Sequence, residues 1–150
     1  MANPYPVLPP LVPHLVVNGA SDAIAFYKKA LGAIEEARMP AQDGKRLMHA
    51  RIIVNGAIIF LNDDFPEYDQ TNSEIKVRPP SALGGTSFVL HLEVANCDEA
   101  VKRAADAGAK VILPPWDAFW GARYGQVLDP FGYVWSFAHA LPPGETVKAG

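Results

Sequence analysis

Pro13-His14-Leu15-Val16-Val17 comes back further along the chain as Leu90-His91-Leu92-Glu93-Val94. Each copy runs into a stretch with helical spacing that stops at a glycine-alanine pair, Gly32-Ala33 in the first and Gly108-Ala109 in the second. His14 and His91 are 77 positions apart, Gly32 and Gly108 are 76 apart, and so are Gly56 and Gly132. An offset this constant marks an internal duplication. The 150 residues therefore divide into module one over about 11–63, a linker over 64–85, module two over about 86–139 and a tail over 140–150, all within one domain.

Within each module the order of elements follows from periodicity and punctuation. Four prolines in the first ten residues predict an extended lead-in. Residues 11–17 suit a strand, with Val12, His14 and Val16 on one face and Leu15 and Val17 on the other. Ala20, Ala23, Ile24, Tyr27 and Leu31 have the three-and-four spacing of a helix that Gly32 ends. Strands are expected over 34–39, 47–54 and 57–62, with Asn55-Gly56 as the tight hairpin between the last two. Module two repeats this: a strand over 87–94, a helix capped by Asn96 with Glu99 three residues on, and strands over 110–113, 123–128 and 133–138. Pro114-Pro115 is expected to break the second strand, and Asp129-Pro130-Phe131-Gly132 fits a type I turn. The linker reads as irregular, with Phe65 and Tyr68 either closing over a pocket or pinning a loop to the surface. The tail, with Pro142-Pro143-Gly144, is expected to move freely. The fold class is α+β, two tandem βαβββ modules forming a curved mixed sheet.

Composition excludes several functions. Net charge is −3 and no run of Lys or Arg stands out, so nucleic acid finds no basic footprint. No apolar stretch approaches 18 residues and the start lacks a signal-peptide layout, which points to a cytoplasmic protein with no membrane partner. Cys97, the one cysteine, permits neither an intrachain disulfide nor a thiolate metal cage, and reads as an inert small side chain.

Strand alternation sorts side chains by face. Leu15, Val17, Met48, Ile52, Val54, Ile59, Leu61, Leu90, Leu92, Val94, Trp135 and Phe137 are expected to pack on the helices. The opposite face then carries His14, His49, Arg51, Asn62, His91, Glu93, Arg123 and Ser136, a polar set suited to a ligand cup. Since His14 and His91 are quasi-equivalent, pseudo-twofold symmetry predicts that they share a cavity. Glu93 and Arg123 either pair with each other or meet a ligand. Trp116, Phe119, Trp120 and Tyr124 are divided between a dimer interface and the pocket wall. His139 has the parity of an exposed residue.

The duplicated order, Ala25-Phe26-Tyr27 with Leu31-Gly32-Ala33, and Tyr124-Gly-Gln-Val-Leu-Asp-Pro-Phe-Gly-Tyr-Val-Trp135 resemble the glyoxalase, bleomycin-resistance and extradiol-dioxygenase superfamily, the vicinal oxygen chelate proteins. Met48-His49-Ala50, Leu90-His91-Leu92 and Phe119-Trp120-Gly121 resemble its PhnB-like branch. The resemblance covers about residues 11–139 and implies a homodimer with a cup on the open sheet face. At the places where metal-dependent glyoxalases carry their four ligands, this chain has Val12, Phe60, Val89 and Ser136, which speaks against glyoxalase I chemistry.

Two readings follow. In the first, resembling bleomycin-resistance proteins, the chain binds a small molecule without chemistry, through Arg51, Phe60, Asn62, Phe119, Trp120, Tyr124 and Ser136. In the second, a shifted set of His14, His91 and Glu93 holds a divalent ion (zinc, manganese, nickel or iron) in a lyase, isomerase or dioxygenase. His49 would then move a proton and Arg123 would steady an anionic substrate group.

Overall fold

Alternation places Ala50, Ile52 and Val54 on one side of a strand and His49, Arg51 and Ile53 on the other, and the computed structural model, which describes residues 5–68 and 74–144, follows that division. Module one consists of β1 (His14–Val17), α1 (Ala20–Leu31), β2 (Ile34–Pro40), β3 (Leu47–Val54) and β4 (Ala57–Asp63). A 3-10 turn at Pro66–Tyr68 and a short helix, α2 (Pro80–Leu83), lie in the linker. Module two consists of β5 (Val89–Glu93), α3 (Cys97–Ala107), β6 (Lys110–Asp117), β7 (Ala122–Leu128) and β8 (Val134–Ala140). The sheets are ordered β1-β4-β3-β2 and β5-β8-β7-β6, with β1 parallel to β4, β5 parallel to β8 and the other pairs antiparallel. The duplication therefore extends to register: His14 stands opposite Phe60, and His91 opposite Ser136.

Local chemistry explains the boundaries. Gly32 adopts φ 68°, and its N–H bonds to the carbonyl of Lys28 to close α1. Asn55 and Gly56 both have positive φ, 48° and 78°, as the two-residue hairpin between β3 and β4 requires. The Asn96 side chain accepts the N–H of Glu99 at 3.1 Å and caps α3.

Several expectations are corrected. β1 begins at His14, so Val12 lies outside it. β6 runs through Pro114-Pro115, because it is an edge strand and takes up the prolines in shifts of register between Val111, Leu113 and Trp116. The linker contains helical turns, with Pro80 packed so closely on Gly132 that an added Cβ there would sit 2.6 Å from the Pro80 Cβ. Met48 is 51% exposed, since the register shift at Met39/Pro40 skips it and turns Leu47 inward instead. His139 is half-buried and bonded, as described below. The expectation of a mobile tail falls mostly on residues 145–150, outside the described residues.

α1 packs against α3, each helix lies on its own sheet, and residues of both modules form one apolar cluster that includes Ile24, Tyr27, Ile52, Leu61, Val101, Val127, Trp135 and Phe137. At its centre the buried Asp129 carboxylate accepts from the Tyr27 hydroxyl (2.6 Å), the Trp135 indole N–H (2.9 Å) and the backbone N–H groups of Phe131 (2.8 Å) and Tyr133 (3.0 Å). The Tyr133 hydroxyl donates to the Val16 carbonyl at 2.8 Å and accepts its N–H at 3.1 Å. Module two thus holds module one at α1 and at β1.

The two helix starts are held by corresponding positions. Asp63, ending β4, accepts the N–H groups of Gly19 (2.8 Å), Ala20 (2.9 Å) and Leu47 (2.7 Å). Its counterpart 76 positions on is His139, whose Nδ1 accepts the Cys97 N–H at 2.8 Å.

Replacing Asp129 by Ala strands the Tyr27 and Trp135 donors in the core, and urea unfolding should show a loss of about 3 kcal/mol or more. Burial first, then the Asp129 charge, raises the Tyr27 hydroxyl well above its ordinary value. An acid whose folded pKa is raised contributes stability that is intact below the unfolded value, ~10 for tyrosine, and is lost as pH rises beyond it. Stability should accordingly fall on the alkaline side, and Tyr27→Phe should flatten that fall in unfolding curves taken between about pH 9 and 11.

Candidate functional site

On the open face of the first sheet, His14 Nε2 donates to Asn62 Oδ1, and Asn62 Nδ2 donates to the Asp63 carbonyl at 2.7 Å. The second bond fixes which way the amide points. His14 therefore engages Asn62 through Nε2 and leaves Nδ1 free of Asn62. His49 lies edge-on to His14, 6.2 Å between centroids, and packs on Phe60 at 4.7 Å. Burial first, then the neighbouring His14 and Arg51, lowers the His49 pKa and favours its neutral ring. Arg51 Nε lies 2.8 Å from Glu36 Oε2, near enough for an ion pair but not aligned for a hydrogen bond.

Two cavities flank β1. One, of about 460 Å³, is lined by His14, Val16, Arg78, Phe88 and Tyr133 among others. The other, of about 630 Å³, is lined by Val16, Asn62, Phe65, Tyr68 and Arg78 among others. Phe65 and Tyr68 stack at 5.7 Å, and Arg46 lies 4.3 Å over the Phe65 ring while pairing with Glu67. The linker aromatics thus form a cavity wall. Arg78 lies in the linker, which has no period to read, while Phe88 and Tyr133 fall at the starts of the strands expected over 87–94 and 133–138 but precede the observed β5 and β8.

On the second sheet, His91 Nδ1 lies 2.7 Å from Ser136 Oγ and Nε2 lies 3.3 Å from Glu93 Oε1. Hydroxyl, imidazole and carboxylate in this order are the parts of a nucleophilic triad. Ser136 is however only 1% exposed, so no acyl group reaches its oxygen and the chain of bonds orients the ring. Tyr124 lies nearly parallel to His91, at 6.0 Å and 16°, and its hydroxyl accepts from Gln126 Nε2 at 2.8 Å. Gln126, on the same face as Tyr124, is legible from parity alone. Trp120 meets Tyr124, Phe119 and Trp116 edge-to-face at 5.5, 5.1 and 5.7 Å. Phe119 and Trp120 are 58% and 53% exposed.

Three expectations change. Arg123 leaves the His91 face: it stands opposite His139 and is held by Asp98 (2.9 and 3.0 Å) and Asp117 (3.0 Å) on the helix side. Its pairing with Glu93 does not form, because Arg123 has the opposite parity to Tyr124. Neither of the two cavities beside β1 has His91 in its lining, so the expected common cavity of His14 and His91 is not among them. Among the described residues no three His, Cys, Asp or Glu side chains converge as a metal site requires. His14 is tied to Asn62, away from His91 and Glu93, so within one chain that donor set does not fit a divalent ion.

This arrangement can be set beside known proteins. Residues 8–137 match the Glyoxalase/Bleomycin resistance protein/Dioxygenase superfamily. The chain belongs to that superfamily. An uncharacterized protein of Mycobacterium bovis is 47% identical over 135 residues, covering 90% of this chain and 86% of its own length. Among solved structures, TioX from Micromonospora sp. ML1 superimposes with a TM-score of 0.68 at 24% identity, covering 87% of this chain and 98% of TioX. The PhnB protein from Bacillus cereus does so at 0.58 and 16%, covering 89% and 100%. These structures share the superfamily's fold with this chain. No helix among the described residues is long and apolar enough to cross a membrane.

His49 should titrate below the ordinary histidine value in NMR spectra. His14→Gln removes one cause of the shift, and the midpoint should move up.

Proposed function

We propose that this superfamily member binds a small organic molecule, without chemistry, in the adjoining cavities beside β1. The observation that carries this reading is their place and size: about 460 and 630 Å³, sharing Val16 and Arg78, against the fixed His14–Asn62 pair and under the Phe65–Tyr68 wall. Ligand sites are ordinarily clefts of about 300–1,000 Å³ with an apolar lining and few oriented polar groups. Phe60, Arg51 and His49 extend the site along the sheet. On the second sheet, Phe119, Trp120 and Tyr124 form its counterpart, while the buried Ser136 orients His91 rather than meeting a ligand.

The same reading includes a homodimer in the cytoplasm. Each helix covers one face of its own sheet and leaves the other open, and each open face is a half-cup that a second copy would complete. The exposed Phe119 and Trp120 support burial in such a pairing. A metal-assisted lyase, isomerase or dioxygenase would require His14, His91 and Glu93 on one ion, a set that the described residues of one chain do not assemble.

A fragment screen by calorimetry tests the proposal. Bound molecules are expected to lose about tenfold in affinity, ~1.4 kcal/mol, on Asn62→Ala or Tyr68→Ala, with folding intact by circular dichroism. Ligands indifferent to both changes, or none at millimolar concentration, would overturn it. Light scattering should give about twice the chain mass of 16.2 kDa.

A further inference from the structure

The duplication supplies an internal comparison at the two helix starts. Asp63 and His139 are counterparts at the ends of β4 and β8, and Leu47 and Arg123, which face them from β3 and β7, are counterparts as well. In module one a carboxylate with two acceptor oxygens receives three backbone N–H groups. In module two one ring nitrogen receives one, that of Cys97. A neutral imidazole nitrogen accepts, and a protonated one cannot.

The groups around His139 favour an exchange of partners. From α3 it faces the Cys97 N–H, at the positive end of the helix, and the Asp98 carboxylate in the first turn. The Cys97 thiol is engaged with the Phe137 carbonyl at 3.2 Å. From β7 it faces Arg123, which grips Asp98 with two nitrogens and, through its third, Asp117 at the end of β6. The charged groups facing His139 are thus the positive helix start, Arg123 and Asp98, with Asp117 on the far side of Arg123. Arg123 in turn links α3 to the strand that carries Trp116.

We propose that His139 is a proton-operated catch on α3. When neutral it accepts the Cys97 N–H. On taking a proton from solvent at Nδ1 it releases that N–H and draws Asp98 away from Arg123, loosening the first turn of α3 and the grip on Asp117 beside the aromatic hairpin. Module one is built not to respond, because carboxylates take up protons roughly two pH units or more below imidazoles. The inference is independent of any ligand.

The test follows the Cys97 and Ala20 amides by ¹H–¹⁵N NMR and hydrogen exchange, corrected for intrinsic rate, from pH 8 to 5. Cys97 is expected to shift with a single midpoint and to lose about tenfold or more in protection, with tryptophan emission changing at the same midpoint while Ala20 stays constant. His139→Asp, which installs the module-one residue, should abolish the transition. Asp98→Asn removes the carboxylate that favours the charged ring and should move the midpoint to lower pH. Parallel behaviour of Cys97 and Ala20 in the native chain would overturn the proposal. So would a transition that survives His139→Asp, and, if that variant fails to fold, a midpoint unmoved by Asp98→Asn.

Discussion

Everything in this molecule depends on a carboxylate almost wholly withdrawn from water. Asp129 collects four donors, from the helix of one module and from the turn and last strand of the other, and no apolar contact could replace it in fixing their angle. Burial pushes its pKa up while the four donors pull it down, and desolvation prevails. Such a group contributes little net attraction, but leaving any of its donors unmatched in the core is costly. It therefore selects one docking of the two modules among the many that a greasy helix pair would tolerate.

Much of this architecture is legible in the amino-acid sequence. The 76-to-77-residue offset between His14 and His91, Gly32 and Gly108, and Gly56 and Gly132 locates both modules. Asn55-Gly56 and Asn96 mark a hairpin and a cap because each has one local geometry to satisfy. Two of the misreadings sit at register shifts: at Met48 one residue is skipped and simple parity fails, and at Pro114-Pro115 an edge strand absorbs prolines expected to end it. Arg123 is a different case: its neighbour in sequence, Tyr124, points to the His91 face, so alternation itself sends Arg123 to the helix side.

The candidate site is legible by face but not in space. Alternation correctly groups His14 with Asn62 and His91 with Ser136, since cross-strand neighbours follow from register. It carries no information on how the two sheets sit relative to each other, and pseudo-symmetry alone suggests a convergence of His14, His91 and Glu93 that the described residues do not make. The linker contributes Phe65, Tyr68 and Arg78 to the cavity walls, and its role there is beyond any periodic signal. What the two faces share is restraint: His14 is tied to Asn62 through one nitrogen and His91 to Ser136 and Glu93 through both, which fixes the plane of each ring.

The phenol of Tyr133 has a further consequence. β1 is an edge strand, the kind of exposed backbone ladder on which foreign chains add and fibrils grow. A single hydroxyl occupies both the N–H and the carbonyl of Val16, so the middle of that edge offers an incoming strand nothing to pair with. A tyrosine from the far module thus protects the four-residue strand from aggregation without becoming a strand itself.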